Sequence, residues 1–496
     1  MVDSPIDPAE ELAVTFQPPL ALQRRGWVFD ILRREHVSEI LDIGCGEGEL
    51  ISCLCNAPPW LPPPPPSILP PSKSGVILPS PPEIDRDGGP AFSSGHEEYI
   101  SVKRIHALDI SDSDLEFAQE ETAPRPASEP GSWHRVLPRW EELDVSIWKG
   151  SLDVYNPQFV DIECIISTEV IEHLPEDVLS RFAPMLLGAY HPRLLVITTP
   201  SFTFNERFVA PDAPLGTRKG YPDPTGRTNR VFRHDDHKFE WTVDEFSHWC
   251  RTVAKEWGYD VDISGVGKSV EADPWGRDER LGFASQVAAF TRREGEQASR
   301  RRQLLAWKNN TPEEQNSIQH ELLVTHHHVA HTSSRNPGTL RSIGDAVKNK
   351  MEEWRESEAS IRQFWFEEDI STLCGGWVEL LVAAVDEHPE LQLVQTNPEG
   401  RWFVNLPGLS PTTSEMWGEN AVEETESLET SSVDTISVPS EDGDGWNQGS
   451  KTDSDFDGGW VSSEQPSSSQ EDWSPSGWSE NQDVVGWGHS GNDSSW

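Results

Sequence analysis

The sequence is short of the residues that build folded mass. Hydrophobic residues make up 35% of 496 positions, against 40 prolines and 36 glycines. Basic residues are also scarce: 40 Lys and Arg face 84 Asp and Glu, for a formal net charge of -44. A chain this acidic and this poor in apolar side chains is expected to stay partly unfolded. The 6 cysteines (Cys45, Cys53, Cys55, Cys164, Cys250 and Cys374) show no C-x-x-C spacing and no dense framework, which excludes a disulfide scaffold and favours a reducing compartment. Met1 to Glu11 lacks the basic-then-apolar pattern of a secretory signal. No apolar run approaches the length of a membrane span. The expectation is a cytoplasmic, or also nuclear, monomer.

The acid is unevenly spread. From Pro411 to Trp496 there are 19 Asp and Glu against the single Lys451. Nucleic-acid binding usually leaves a basic footprint, and the one segment that could supply it holds Arg218, Lys219, Arg227, Arg230, Arg233 and Lys238.

Leu20 to Arg34 reads as an amphipathic helix. Ser38 to Ile43 reads as a strand that runs into Gly44-Cys45-Gly46-Glu47-Gly48, with a helix resuming at Glu49. That order opens a nucleotide-type α/β domain. Residues 57–95 interrupt it with Pro62 to Pro66 and several Ser-Pro and Pro-Pro steps, and they read as an extended or disordered surface insertion. The pattern resumes with strands at 102–108, 162–167, 194–199, 259–264 and 284–291. Helices are expected at 112–121, across most of 170–190, and at 242–257, where Thr242 and Glu245 form a capping-box signature. The fold class is therefore α/β: a Rossmann-like domain over 20–293 with a mostly parallel sheet. A small α+β annex over 299–409 and a disordered acidic tail over 411–496 complete the chain. The annex contains a hairpin around Asn397-Pro398-Glu399-Gly400. Its His326, His327, His328 and His331 read as a solvated helix face.

Leu41-Asp42-Ile43-Gly44-Cys45-Gly46-Glu47-Gly48 has the form of the first motif of class I methyltransferases. Gly44 and Gly46 let backbone approach the methionine part of S-adenosylmethionine, and Asp42 can bind its amino group or a bridging water. Asp109, ending the next strand, can hold both ribose hydroxyls. Ser151, after Gly150, falls where adenine would sit.

After the strand at 162–167 comes Thr168-Glu169-Val170-Ile171-Glu172-His173. If this opens a helix, Glu169, Glu172 and His173 share one face. Two carboxylates and an imidazole beside the cofactor suit a hard divalent cation. Similar spacing also occurs in small-molecule O-methyltransferases. His237, in Asp236-His237-Lys238-Phe239-Glu240-Trp241-Thr242, could add a fourth ligand, or could simply pack at the helix entry. A cation held this way would keep positions open for the two oxygens of a vicinal diol, which suits a terminal RNA ribose.

These segments resemble the small-RNA 2′-O-methyltransferases of the Hua-enhancer type. The resemblance rests on Asp42 to Gly46, Asp109-Ile110, Glu169 to His173, Leu195 to Pro200 with Asn205, Asp236 to Trp241, Ser264 to Gly267 and Gly282 to Gln286. It implies a metal, Mg2+ or Mn2+, held by Glu169, Glu172, His173 and His237, and cofactor binding near Asp42, Asp109 and Ser151. The implied reaction methylates the 2′-hydroxyl at the 3′ end of small RNAs in RNA silencing. Glu172, His173 and His237 carry the chemistry, with a histidine or water taking the hydroxyl proton. One departure is Ser201 after Pro200, where the family usually has asparagine. No N-terminal double-stranded-RNA-binding region is visible, so single-stranded RNA is the expected substrate.

The tail adds isolated tryptophans in an acidic, serine-rich background, among them Trp446, Trp460, Trp478 and Trp487. They resemble the GW/WG hooks that bind Argonaute or Piwi-type proteins, and spaced anchors suit multivalent docking. Two alternatives stand beside this reading: a small-molecule O-methyltransferase, and a catalytically silent Argonaute-binding scaffold.

Overall fold

A computed structural model describes residues 11–69, 100–125, 138–214, 216–296, 299–300, 319–396 and 401–409. The tail at 411–496, the tip of the annex hairpin and most of the proline-rich insertion lie outside these residues. Strands β1 (Glu39–Ile43), β2 (Arg104–Asp109), β3 (Leu143–Lys149), β4 (Cys164–Thr168) and β5 (Leu194–Pro200) are followed by a short ribbon of β6 (Tyr221–Pro222) and β7 (Val231–Phe232). Then come β8 (Tyr259–Val266), β9 (Ser285–Arg292) and β10 (Glu321–His328). Eight of them form one sheet in the order β10-β3-β2-β1-β4-β5-β9-β8. β1 to β5 pair in parallel, while β9 runs antiparallel between β5 and β8. This is the Rossmann-like α/β fold with a mostly parallel sheet expected from the sequence. The strand order turns back beside β1, so a crevice opens between the carboxyl ends of β1 and β4, where such sheets bind ligands.

The central strands are apolar on both sides because helices cover both faces. Along β5, Leu194 and Val196 face one core while Leu195 and Ile197 face the other. One face packs on Val28, Ile31 and Leu32 of the helix Leu20–Arg34, with Leu115 and Ala118 of the helix Asp112–Glu121. The opposite face packs on Phe182 and on Phe246, Cys250 and Trp257 of the helix Val243–Trp257. Each such aliphatic side chain stabilises the fold by roughly 1.5–3 kcal/mol. The Thr242–Glu245 capping box forms as expected.

Four expectations need correction. First, 170–190 is not one helix. Val170 leads into a single 3-10 turn, Ile171–His173; Pro175 then starts the α-helix Glu176–Ala183, and Pro184 begins a π-helical stretch to Tyr190. A proline lacks the N–H that a continuous helix needs.

Second, His326 to His328 lie on a strand rather than a solvated helix face. β10 pairs antiparallel with β3 and so extends the main sheet. His326 Nε2 lies 3.0 Å from the Gln119 carbonyl and His328 Nε2 lies 2.9 Å from that of Thr122, satisfying carbonyls at the end of the helix Asp112–Glu121.

Third, the annex is shorter than 299–409, because 321–328 belong to the main sheet. Its own core gathers Ile343, Val347, Phe364, Leu381 and Val404 over 340–406, with β11 (Glu358–Ser360), β12 (Gln392–Thr396) and β13 (Arg401–Asn405) as a small antiparallel sheet.

Fourth, the start of the insertion is no loose spacer. Trp60 and Leu61 are buried in the annex core. The Pro59 carbonyl accepts indole N–H bonds from Trp140 and Trp365. Proline cannot donate, but its carbonyl can accept, and here two tryptophans use it.

Candidate functional site

The loop after β1 is shaped by its backbone. Gly44 and Gly46 have φ of 71° and 51°, a left-handed conformation that glycine adopts at little steric cost. A Cβ on Gly44 would fall 2.4 Å from Val170 Cγ2, so the loop after β1 and the turn after β4 touch at this glycine. Asp42 is buried, and its Oδ1 makes no hydrogen bond among the described residues. Burial, and secondarily the charge of Asp109, push its carboxyl up to about 8. A buried oxygen without a partner next to a glycine cradle fits the cationic amino group of a bound methionine moiety.

Asp109 already has work within the protein. Its Oδ2 accepts from Gly46 N–H at 2.9 Å, and its Oδ1 accepts from Ile110 and Ser111 N–H at 2.6 and 2.9 Å. It braces the glycine loop, and Oδ2, which accepts only one of these bonds, still has a lone pair for a ribose hydroxyl. Burial holds its pKa above the ordinary carboxylate value despite these bonds. Ser151 lies just beyond the end of β3, and its carbonyl lies 2.9 Å from His320 Nε2. Nothing in the sequence pattern marked His320; it comes from the approach to β10.

On the other side of the crevice, Glu172, His173 and His237 bring ligand atoms within 4.8 Å of one another. Glu172 is fully buried and accepts from Thr199 Oγ1 at 2.9 Å. Its backbone carbonyl takes the Lys238 N–H at 2.8 Å, which pins the His237 segment to the turn. The rings of His173 and His237 meet edge-on at 4.8 Å between centroids. Glu169 does not share a helical face with these groups, since it follows the end of β4 in a left-handed conformation with φ 53°. Its carboxylate accepts from Thr198 Oγ1 at 2.8 Å and lies 3.2 Å from Arg24 Nη1.

Each histidine is backed by a carboxylate. His173 Nδ1 lies 3.1 Å from Asp236 Oδ2, and His237 Nδ1 lies 2.8 Å from Glu240 Oε1. The bond to Glu240 leaves His237 with Nε2 for a ligand role, the arrangement that orients metal-binding histidines; His173 Nδ1 sits beside Asp236 but makes no hydrogen bond among the described residues. Glu240 is buried and also accepts from Asn205 Nδ2 and Arg233 N–H, both at 2.6 Å. Burial opposes its ionisation, but the His237 bond and the Arg233 charge outweigh it and hold its pKa at about 2. For Asp236, burial again acts against the charge and His173 more than offsets it, so its pKa is lowered. A buried carboxylate and two oriented imidazoles suit a divalent cation. Sequence reasoning did not single out Asp236 or Glu240; the His237-x-x-Glu240 spacing is the signal that could have marked the second of them. Ser201, the departure noted in the sequence, is buried with its hydroxyl unbonded among the described residues.

The basic segment is mostly committed internally. Arg230 pairs with both oxygens of Glu245, Arg233 donates to Asn205 and to the carbonyls of Ser201 and Ala284, Arg218 donates to the Val231 carbonyl, and Arg227 pairs with Glu176. It buttresses the site more than it presents a positive face. No helix among the described residues is long and apolar enough to cross a membrane.

No family model matches the chain. The curated relatives are small RNA 2′-O-methyltransferases. The Xenopus tropicalis protein is 34% identical over 191 residues, covering 38% of this chain and 44% of that protein. The Arabidopsis thaliana protein is 28% identical over 290 residues, 58% of this chain and 24% of that protein. The Mus musculus protein is 26% identical over 285 residues, 58% of this chain and 54% of that protein. The chain thus spans about half or less of the length of these relatives. Among solved structures, that of small RNA methyltransferase HEN1 is 25% identical, covers 57% of this chain and 27% of that one, and gives a TM-score of 0.37; the fold assignment rests on the strand order instead. Over up to 58% of its length this chain is similar to small RNA 2′-O-methyltransferases.

Proposed function

We propose that this protein methylates the 2′-hydroxyl of the 3′-terminal nucleotide of small RNAs, using S-adenosylmethionine and a divalent metal, Mg2+ or Mn2+. The observation that carries the reading is the buried Glu172–His173–His237 cluster across the crevice from the glycine loop. Bound S-adenosylmethionine supplies an activated methyl group, and the bound cation supplies Lewis acidity toward the terminal ribose oxygens.

The chain's own residues do the rest. Asp42, Gly44 and Gly46 receive the methionine end of the cofactor, Asp109 the ribose, and the Ser151 region the adenine. Glu172, His173 and His237 hold the cation, and Glu169 joins them as a fourth ligand by turning from Arg24. Glu240 and Asp236 fix the histidine rings. The proton of the 2′-hydroxyl leaves to water, because Nε2 of both histidines would be spent on the cation while Nδ1 faces a carboxylate. Positioning accounts for much of the acceleration, because the methyl donor arrives activated.

In the same reading, methylation protects the RNA end during silencing, and the tail tryptophans Trp446, Trp460, Trp478 and Trp487 tether an Argonaute or Piwi-type protein that presents that end. The test is methyl transfer from labelled cofactor to a short single-stranded RNA with a 3′-terminal diol. The expected result is labelling that chelator abolishes and that a 2′-deoxy terminus prevents. Chelator-resistant labelling, or labelling of the 2′-deoxy RNA, contradicts the proposal. Capture of Argonaute by 415–496, lost when those tryptophans become alanine, checks the tether.

A further inference from the structure

With most of the 218–238 basic residues committed internally, the RNA leading to the reacting nucleotide needs a hold other than positive charge. The loop between β8 and β9 is placed to provide one. The register sets Val266, Ser285 and Pro200 in one row, so this loop emerges at the same edge of the sheet as Glu169. At roughly 5 Å per strand, the end of β8 lies about 15 Å from the end of β4. Two contacts tie the loop to the site: Arg24 bridges Ser285 Oγ at 3.3 Å and Glu169 at 3.2 Å, and the Ala284 carbonyl accepts from Ser201 N–H at 2.9 Å.

The loop is stiffened from below and aromatic above. Asp273 is buried and accepts from the backbone N–H groups of Trp275 and Arg277 at 3.1 and 2.8 Å and from Arg277 Nε and Nη2 at 3.0 and 2.8 Å. Arg277 also donates to the Val209 carbonyl at 3.0 Å, in the stretch after β5 that carries Asn205. On this base Trp275 remains 39% exposed. The Arg277 guanidinium lies 4.9 Å from its ring centroid, which fixes the ring's orientation. A tryptophan held rigid and open at the rim of a site for RNA ends has the character of a stacking platform, since every base offers a π-face.

We propose that Trp275 stacks a nucleobase upstream of the 3′-terminal nucleotide and so holds the single-stranded end over the metal cluster. The inference rests on the RNA methyltransferase reading. Base stacking of this kind is worth roughly a ten- to hundredfold change in affinity, with little dependence on base identity. A duplexed end keeps its bases stacked in the helix and gains less from the platform.

The experiment uses the full chain with S-adenosylhomocysteine and short single-stranded RNAs, each abasic at a different upstream position. Trp275→Ala is expected to weaken binding of intact RNA about tenfold or more, with cofactor affinity unchanged, and Trp275→Phe to recover most of the loss. One abasic position should bind wild type and Trp275→Ala equally weakly. Without any variant, 4-thiouridine at that position should crosslink to the peptide bearing Trp275. An RNA-active wild type whose affinity ignores Trp275→Ala, or whose crosslinks map elsewhere, overturns the stacking site alone. A wild type that neither binds nor methylates the RNA overturns the methyltransferase reading and this proposal with it.

Discussion

At the end of β1, glycines with φ of 71° and 51° shape a loop whose work is done by the backbone. At the end of β4, the work is done by side chains: Glu172 and His173 on one turn and His237 from a separate segment, all within 4.8 Å. The first half needs only local geometry, so a short motif encodes it. The second needs a shell of buried Thr199, Glu240 and Asn205 with half-buried Asp236 and Arg233 to hold charges and ring orientations in place. Backbone sites tolerate the loss of most neighbours; sites built from converging side chains depend on their supports.

The largest effect should come from separating the halves. Glu172→Gln keeps the side chain's size and removes its charge. Methyl transfer is expected to fall on the order of a thousandfold, because a catalytic cation supplies several kcal/mol of charge stabilisation. Cofactor affinity, measured by calorimetry, should stay within about twofold. Equal loss of both would mean that the halves are not separable.

Next comes the shell. Glu240→Gln removes the carboxylate behind His237, and metal affinity is expected to drop about 10–100-fold. The same residue makes a pH prediction. Its folded pKa of about 2 lies below the ordinary 4.5, so its contribution to stability is full above about 4.5 and is lost as pH falls toward about 2. Thermal unfolding followed across that window should show a steeper acid loss in wild type than in Glu240→Gln.

The cofactor half carries the opposite sign. Asp42 is raised from 3.8 to about 8, so the folded protein keeps its proton where the unfolded chain has released it. Its ionisation therefore opposes folding, and stability falls as pH rises through that window. Binding a cationic amino group at pH 6.5 should expel that proton. Calorimetry in buffers of different ionisation heat would detect its release, and Asp42→Asn should erase the difference between buffers.

The smallest effect tests the frame around both. Thr242→Ala removes the capping box at the helix that follows the His237 segment, at a cost of about 1 kcal/mol. Chemical denaturation should show this loss with turnover nearly unchanged; a large fall in turnover would tie helix entry directly to the metal side.

Legibility in the sequence followed the same division. Asp42, Gly44, Gly46 and Asp109 could be placed because strand, turn and helix periodicities locate them within one local unit. Glu169, Glu172 and His173 were placed near one another but on the wrong scaffold: a helical face was expected, and Pro175 delays the helix so that a strand end and one 3-10 turn present them. The role of Arg24 against Glu169 could not be read, because it depends on a helix crossing far from it in sequence. The histidines of 326–328 misled because a run of consecutive polar residues on an edge strand lacks the strand's alternation and resembles a solvated helix when the partner carbonyls are unseen. Trp60 and Leu61 were lost in a proline-rich composition, although they fill the annex core.

The most direct test of the side-chain half is Mn2+ titration of the full chain, saturated with S-adenosylhomocysteine, followed by electron paramagnetic resonance. Wild type should show one tight site, and Glu172→Gln and His237→Ala should each lose it while still binding the cofactor analogue. Equal Mn2+ binding by wild type and both variants would contradict a metal centre at this turn.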